Sequence, residues 1–174
     1  DGLDGLVAGC LSVLMATVAF QFSSPWPIWS IVGSLMGFLV FNWSPSRVFM
    51  GDVGSTFLGA VFAFFVLQSS VLSDAFGLLL VATPLLGDAL ISVIRRFFAG
   101  QNIFKAHRLH LFQRLHQAGW PHSRVSSLYI SGTAVLSIAF LFGGFPLLVP
   151  LVCAELFIGV FLDQKVAVPF ASEF

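Results

Sequence analysis

Ser55–Leu72 reads STFLGAVFAFFVLQSSVL, a run without one charged side chain. An α-helix needs about 20 mainly apolar residues, with a range of about 17–25, to cross a bilayer core. This run meets that requirement, and five more like it follow the same logic. They are Leu6–Phe22, Pro27–Phe41, Ala75–Phe98, Val125–Phe142 and Pro146–Leu162. The second is short and needs its flanks. The fourth is long, and Pro84 and Gly87 are expected to kink it. Composition agrees with this reading. Of 174 residues, 57% are hydrophobic and only 9% charged, with 21 Phe; the mean hydropathy is +0.97. A soluble domain carries about 25% charged residues. The expected fold is therefore all-α, a polytopic membrane helical bundle of six spans forming one integral membrane domain over residues 1–174.

The polar connections alternate sides. One face receives Asp1–Gly5, Asn42–Gly54, Ala99–Arg124 and the tail after Asp163. The other receives only Ser23–Trp26, Ser73–Asp74 and Gly143–Phe145. Every Lys and Arg falls on the first face. Arg47, Lys105, Arg108, Arg114, Arg124 and Lys165 lie in or beside its loops, and Arg95 and Arg96 close the fourth span. The positive-inside rule makes that face cytoplasmic. Net charge is zero, so bulk charge argues neither for nor against a nucleic-acid partner; none is expected. Cys10 and Cys153 lie in apolar runs and read as small buried hydrophobes. The chain opens on Asp1 inside a polar motif, and is expected to be the C-terminal part of a larger protein.

Three polar clusters occupy the basic face. In Asp1-Gly2-Leu3-Asp4-Gly5-Leu6, the two carboxylates share one side if the stretch is helical; a helix-capping turn is an equally good reading. In Arg47-Val48-Phe49-Met50-Gly51-Asp52-Val53-Gly54-Ser55, Asp52 sits between glycines at the mouth of the third span. A carboxylate there suits Mg²⁺, which shares its oxygen ligands with phosphates. Gly54 and Ser55 are expected just before a helix start, where free N–H groups suit phosphate; Ser55 as an N-cap is the plainer alternative. The third cluster holds all four histidines: His107, His110, His116 and His122. A metal site at His107, His110 and His116 would lack a carboxylate or thiolate partner in the loop. Phosphate binding by His and Arg is the other reading.

These strings, in this order and on one face, resemble the polyprenyl-phosphate N-acetylhexosamine-1-phosphate transferases. That family includes the enzymes that initiate O-antigen and enterobacterial common antigen synthesis, with the phospho-MurNAc-pentapeptide transferases as more distant relatives. The matching strings are Asp1–Leu6, Val48–Ser55 (Val-Phe-Met-Gly-Asp-Val-Gly-Ser) and Ala106–Gly119 (Ala-His-Arg-Leu-His-Leu-Phe-Gln-Arg-Leu-His-Gln-Ala-Gly). The resemblance implies transfer of a sugar-1-phosphate from a UDP-sugar to a polyprenyl phosphate, with Mg²⁺ (or Mn²⁺) as cofactor. It implies that Asp1 and Asp4 are the paired acids of the nucleotide-sugar site and that Asp52 is the catalytic, metal-binding aspartate. It puts Asn42, Arg47, Gly51, Gly54, Arg108 and His110 in substrate binding. It further implies an Asp-Asp pair upstream of Asp1, so this part alone is expected to be inactive.

His107 stands where many members have Asp, and Phe112-Gln113 where a His-His pair is usual. This pattern looks closer to the O-antigen branch than to the peptidoglycan enzyme. A bacterial inner-membrane location follows, with a homodimer allowed for. The competing class is a non-catalytic membrane subunit or transporter half, which would spread polar residues along its spans.

Two intramembrane acids stand apart. Asp88, near Arg95 and Arg96, is expected to make an inward structural pair or to rim the site, while Glu155 has no evident partner. Gly33 and Gly37 permit close helix packing, expected within the chain.

Overall fold

The computed structural model describes residues 2–22, 26–105 and 107–170. Among these, all regular structure is helical. The helices are α1 (Leu6–Gln21), α2 (Trp26–Asn42), α3 (Gly51–Gln68), α4 (Leu72–Val81), α5 (Thr83–Phe98), α6 (Leu111–Gln117) and α7 (His122–Lys165). The all-α membrane architecture expected from the sequence is the one observed.

Length decides how each helix relates to a bilayer. α3 and α7 are each long and apolar enough to cross one; α4 and α5 together make a third candidate, bent by 78°. α1 and α2 are shorter apolar helices. At about 1.5 Å per residue each runs roughly 25 Å, short of the core thickness without its flanks.

α7 contains two of the expected spans. Its helical geometry fails at Gly144, with φ 59° and ψ −158°, a conformation that only glycine adopts without strain. The chain doubles back there. A Cβ placed on Gly132, in the first half, would lie 2.6 Å from Oε1 of Glu155 in the second. The expected turn at Gly143–Phe145 is therefore present as a reversal inside α7.

The break in the fourth segment falls at Ala82, between α4 and α5, not at Pro84 or Gly87 as expected. Pro84 occupies the first turn of α5, where its missing N–H has no intrahelical partner to lose. Gly87 continues the helix undisturbed.

α1 is the central helix. It buries most of its length, Leu14, Met15 and Val18 among others, and packs mainly against α2 and α7. Its glycine makes one close approach possible: a Cβ on Gly9 would collide with the Ile130 side chain. Leu78 of α4 and Leu136, Phe140 and Leu148 of α7 complete this core. A second cluster joins Leu3, Leu6 and Cys10 to Leu115, Val125 and Tyr129, with Leu162 and Val166 packed against it. That cluster packs Leu3, beside Asp4, and Leu115 of α6 against α1 and α7.

By contrast, α2 and α3 bury only three residues each. Their exposed faces carry Met36, Val40, Phe57 and Phe64, as suits contact with lipid or other apolar chain. Gly33 and Gly37 have nothing within 4 Å of a built Cβ. The expected packing of this pair within the chain is absent among the described residues. Cys10 is buried but Cys153 is exposed, so only the first fits its expected role.

Candidate functional site

The site begins with Asn42. Its side chain is buried at the end of α2, where Oδ1 accepts the Gly5 amide at 3.1 Å and Nδ2 donates to the Val48 carbonyl at 2.9 Å. One amide group thereby ties the Asp4 loop to the Arg47–Asp52 loop. Gly5 has φ 74° with a Trp43 ring carbon 2.8 Å from its would-be Cβ, so both backbone sign and space favour glycine there.

Asp4 is the hub. The Ser46 hydroxyl and amide both donate to its carboxylate, at 2.9 and 3.3 Å. His122 Nδ1 lies 3.1 Å from Asp4 Oδ2. The Ser126 hydroxyl donates to the Asp4 carbonyl at 2.7 Å. Burial would raise the Asp4 carboxyl, but the hydrogen bonds from Ser46 and the His122 side chain outweigh it and hold the group below its ordinary range. Beyond Asp4, His122 Nε2 is 3.2 Å from His116 Nε2, and His116 Nδ1 is 2.9 Å from the Trp120 carbonyl. The third loop closes on the first from the other side: a Cβ on Gly2 would touch Gln113 and Phe112 at 3.2 Å. All three polar clusters thus meet at one end of the bundle.

The remaining sites divide between exposed groups and groups committed to structure. Asp52 lies exposed in the first turn of α3, where the helix dipole favours a carboxylate. The helix begins at Gly51, with φ 67°, so Gly54 and Ser55 lie inside the helix and not before it as expected. Ser55 is no N-cap; its hydroxyl donates back to the Gly51 and Asp52 carbonyls at 3.2 Å. A Cβ on Gly54 would approach Met50 Cγ at 2.6 Å. Arg47 and Arg108 are exposed, and neither makes an ion pair among the described residues. Asp1 lies outside the described residues.

His110 caps α6. Its ring stacks on Phe112, with centroids 5.2 Å apart and an interplanar angle of 6°. The His107 ring stands 4.8 Å away on another side. The amide of His110 donates to Gln113 Oε1 at 3.3 Å. His116 instead faces His122, so the three-histidine metal reading has no geometric support. No group of three or more His, Cys, Asp or Glu side chains among the described residues is arranged to hold a metal ion. Asp52 offers a single exposed carboxylate. That suits a Mg²⁺ ion taking its other oxygens from phosphate and water, but it does not make a closed protein site.

Sequence reasoning saw Asp88 but not its partners. Its carboxylate accepts the Leu111 and Phe112 amides at 2.7 and 3.2 Å and the Tyr129 hydroxyl at 2.7 Å. Arg95 and Arg114 both turn to Asp163 instead, and Arg96 turns to Gln101, Asn102 and Ile103. Asp163 was not singled out at all. An acidic side chain at the end of the last apolar run is the signal the sequence offered. Glu155 faces Gly132, and its Oε2 has no hydrogen-bond partner among the described residues.

Residues 1–70 match the Glycosyl transferase family 4. The chain is 32% identical over 154 residues to a phospho-N-acetylmuramoyl-pentapeptide-transferase of Acaryochloris marina, with 80% of this chain and 40% of that protein covered. It is 36% identical over 133 residues to the protein of that name from Bacillus mycoides, covering 72% of this chain and 40% of the relative. The chain therefore spans about 40% of the length of these curated relatives. No solved structure matches. The likeness is to the Glycosyl transferase family 4 over residues 1–70 and to these transferases over most of this chain.

Proposed function

We propose that the chain is part of a bacterial inner-membrane enzyme that moves an N-acetylhexosamine-1-phosphate from a UDP-sugar to a polyprenyl phosphate, releasing UMP. One observation carries the reading: three polar loops, far apart in sequence, converge through Asp4, Ser46, His122 and the Gly2–Phe112 contact. The transferase-like strings lie on those loops. Polar groups gathered at one mouth of an apolar bundle suit an enzyme that takes one substrate from water and another from lipid. The transporter-like alternative would distribute them along the spans.

The reaction is phosphoryl transfer. A lipid phosphate oxygen forms a bond to the sugar-linked phosphorus of the UDP-sugar as the bond to UMP breaks. Such catalysis is chiefly positioning and charge stabilisation. Arg108 and His110 bind the diphosphate, and Arg47 meets phosphate from the neighbouring loop. Gly51 and Gly54 let the backbone of the α3 start come close to it. Asp1 and Asp4 shape the nucleotide-sugar pocket, with Asn42 holding the two loops in register. Asp52 would hold a Mg²⁺ ion, which would supply charge neutralisation for the phosphates. The basic loops face the cytoplasm by the positive-inside rule.

The pattern of this loop resembles the O-antigen-initiating branch, and on that likeness the proposed donor is a UDP-N-acetylhexosamine. The relatives from Acaryochloris and Bacillus are instead phospho-N-acetylmuramoyl-pentapeptide-transferases, and this rivalry sets the experiment. The full-length protein in detergent, with undecaprenyl phosphate and Mg²⁺, is offered UDP-GlcNAc, UDP-GalNAc and UDP-MurNAc-pentapeptide, and UMP is measured. Release with a hexosamine donor is expected. Release with the pentapeptide donor alone reassigns the substrate, and no release with any donor overturns the reading.

A further inference from the structure

Asp88 is nearly buried, with 6% of its side chain exposed, yet no Lys or Arg pairs with it among the described residues. Four N–H and O–H donors point at it. Oδ1 accepts from the Leu111 amide and the Ser92 hydroxyl, at 2.7 and 3.3 Å; Oδ2 accepts from the Tyr129 hydroxyl and the Phe112 amide, at 2.7 and 3.2 Å. Hydrogen-bond donors stand where a counter-ion is lacking.

Two of those donors decide what Asp88 does. Leu111 and Phe112 open α6, a helix of seven residues. Amides in the first turn have no partner within their own helix, and so short a helix has little stability alone. Here α5 supplies the missing acceptor, and its negative charge lies at the positive end of the α6 dipole. His110 is the residue immediately before. Its ring stacks on Phe112, whose amide Asp88 holds, and its Nδ1 lies 3.8 Å from Asp88 Oδ1. At that distance Nδ1 is buried beside the carboxylate but beyond hydrogen-bond length. The side chain as a whole keeps 22% of its surface exposed while its backbone is fixed.

We propose that Asp88 is a positioning residue: from within the bundle it sets the place of His110, and thereby the affinity of the site for the sugar-phosphate end of the donor. This rests on the functional reading given above. Asp88 itself is not a catalytic residue, because its oxygens are already filled by donors from the protein. Tyr129 shares the task by fixing Oδ2 from α7.

The test is a double-mutant cycle in the full-length protein, reading UMP release against UDP-sugar concentration. Asp88→Asn keeps the size but puts an NH₂ where one pair of donors needs an acceptor. It is expected to raise KM for the UDP-sugar by about 10-fold or more, with a much smaller change in kcat. His110→Ala raises KM by itself. The double variant is expected to be no worse than His110→Ala, because contacts that act through one another are not additive. Multiplying losses, or an unchanged KM in Asp88→Asn, overturn the inference. If Asp88→Asn does not elute as folded protein, Tyr129→Phe replaces it in the cycle, with a KM rise of about 3-fold expected and an unchanged KM counting against the idea. A wild-type protein that releases no UMP refutes the functional reading instead, so the two failures are distinct.

Discussion

Asp4 and Ser46 are joined twice: the Ser46 hydroxyl reaches Asp4 Oδ1 at 2.9 Å and its amide reaches Oδ2 at 3.3 Å, across 42 residues of sequence. With His122 on Oδ2, this carboxylate binds together the starts of α1 and α7 and the loop between α2 and α3. Its geometry is that of a clamp as much as a ligand.

The clamp has a pH signature. The folded-state carboxyl lies below the ordinary value of 3.8, so its contribution to stability is present above that value and is lost as pH falls through the folded one. Asp4→Asn is expected to melt at a lower temperature than wild type at pH 7. The gap should narrow in thermal scans taken below about pH 4. A gap that stays constant from pH 7 to pH 3 would contradict the clamp.

Asn42 carries a comparable load without charge. Asn42→Ala leaves the Gly5 amide and the Val48 carbonyl without their partner in a buried setting. The expected cost is about 1–3 kcal/mol, read as a lower unfolding temperature in detergent. Asn42→Asp keeps the acceptor for Gly5 but opposes an oxygen to the Val48 carbonyl, and should recover little of the loss.

Asp52 makes the opposite prediction. Exposed and without an ion pair among the described residues, it contributes little to folding. Asp52→Asn should leave the melting temperature within about 1 °C of wild type while reducing UMP release by about 100-fold. An Asp52→Asn protein with full activity and an unchanged Mg²⁺ dependence would remove this residue from the site.

Asp163 holds Arg114, which is only 2% exposed, and Arg95 beside it. Asp163→Ala strands a buried guanidinium, and a loss of about 3 kcal/mol is expected. Chemical denaturation of the purified variant measures it. An unfolding curve matching wild type would show that Arg114 finds water instead.

Packing in the apolar layer can be probed at Gly77 of α4. A Cβ there would collide with the Phe140 ring. Gly77→Ala should cost about 1–3 kcal/mol through overpacking, again read from thermal unfolding. Gly33→Ala, at a position with open space around it, serves as the neutral comparison.

Much of the helical layout was legible because apolar run length is a local property. Ser55–Leu72 needed no neighbours to read as membrane helix, and the same held for the two halves of α7. The reversal at Gly144 was legible too, since glycines beside proline mark a turn. The break at Ala82 was not. Proline marks a disturbance, but whether it kinks a helix or begins a new one depends on where the preceding turn stops. Asp4 and Asn42 stood in motifs that could be read locally, but that Ser46, His122 and Val48 are their partners could not. Nothing local links residues so distant along a chain.

The sequence alone determined the solvent this protein lives in, the number of apolar segments, and the face that gathers its charges. Each follows from the cost of placing a given side chain in hydrocarbon, which depends on the residue and its near neighbours. Only the tertiary structure decided which acids serve structure and which stay open. Asp88 and Asp163 are both acids within or at the end of apolar runs. One binds the amides that start α6 and the other binds both guanidiniums, because hydrogen-bond partners are chosen by packing in three dimensions.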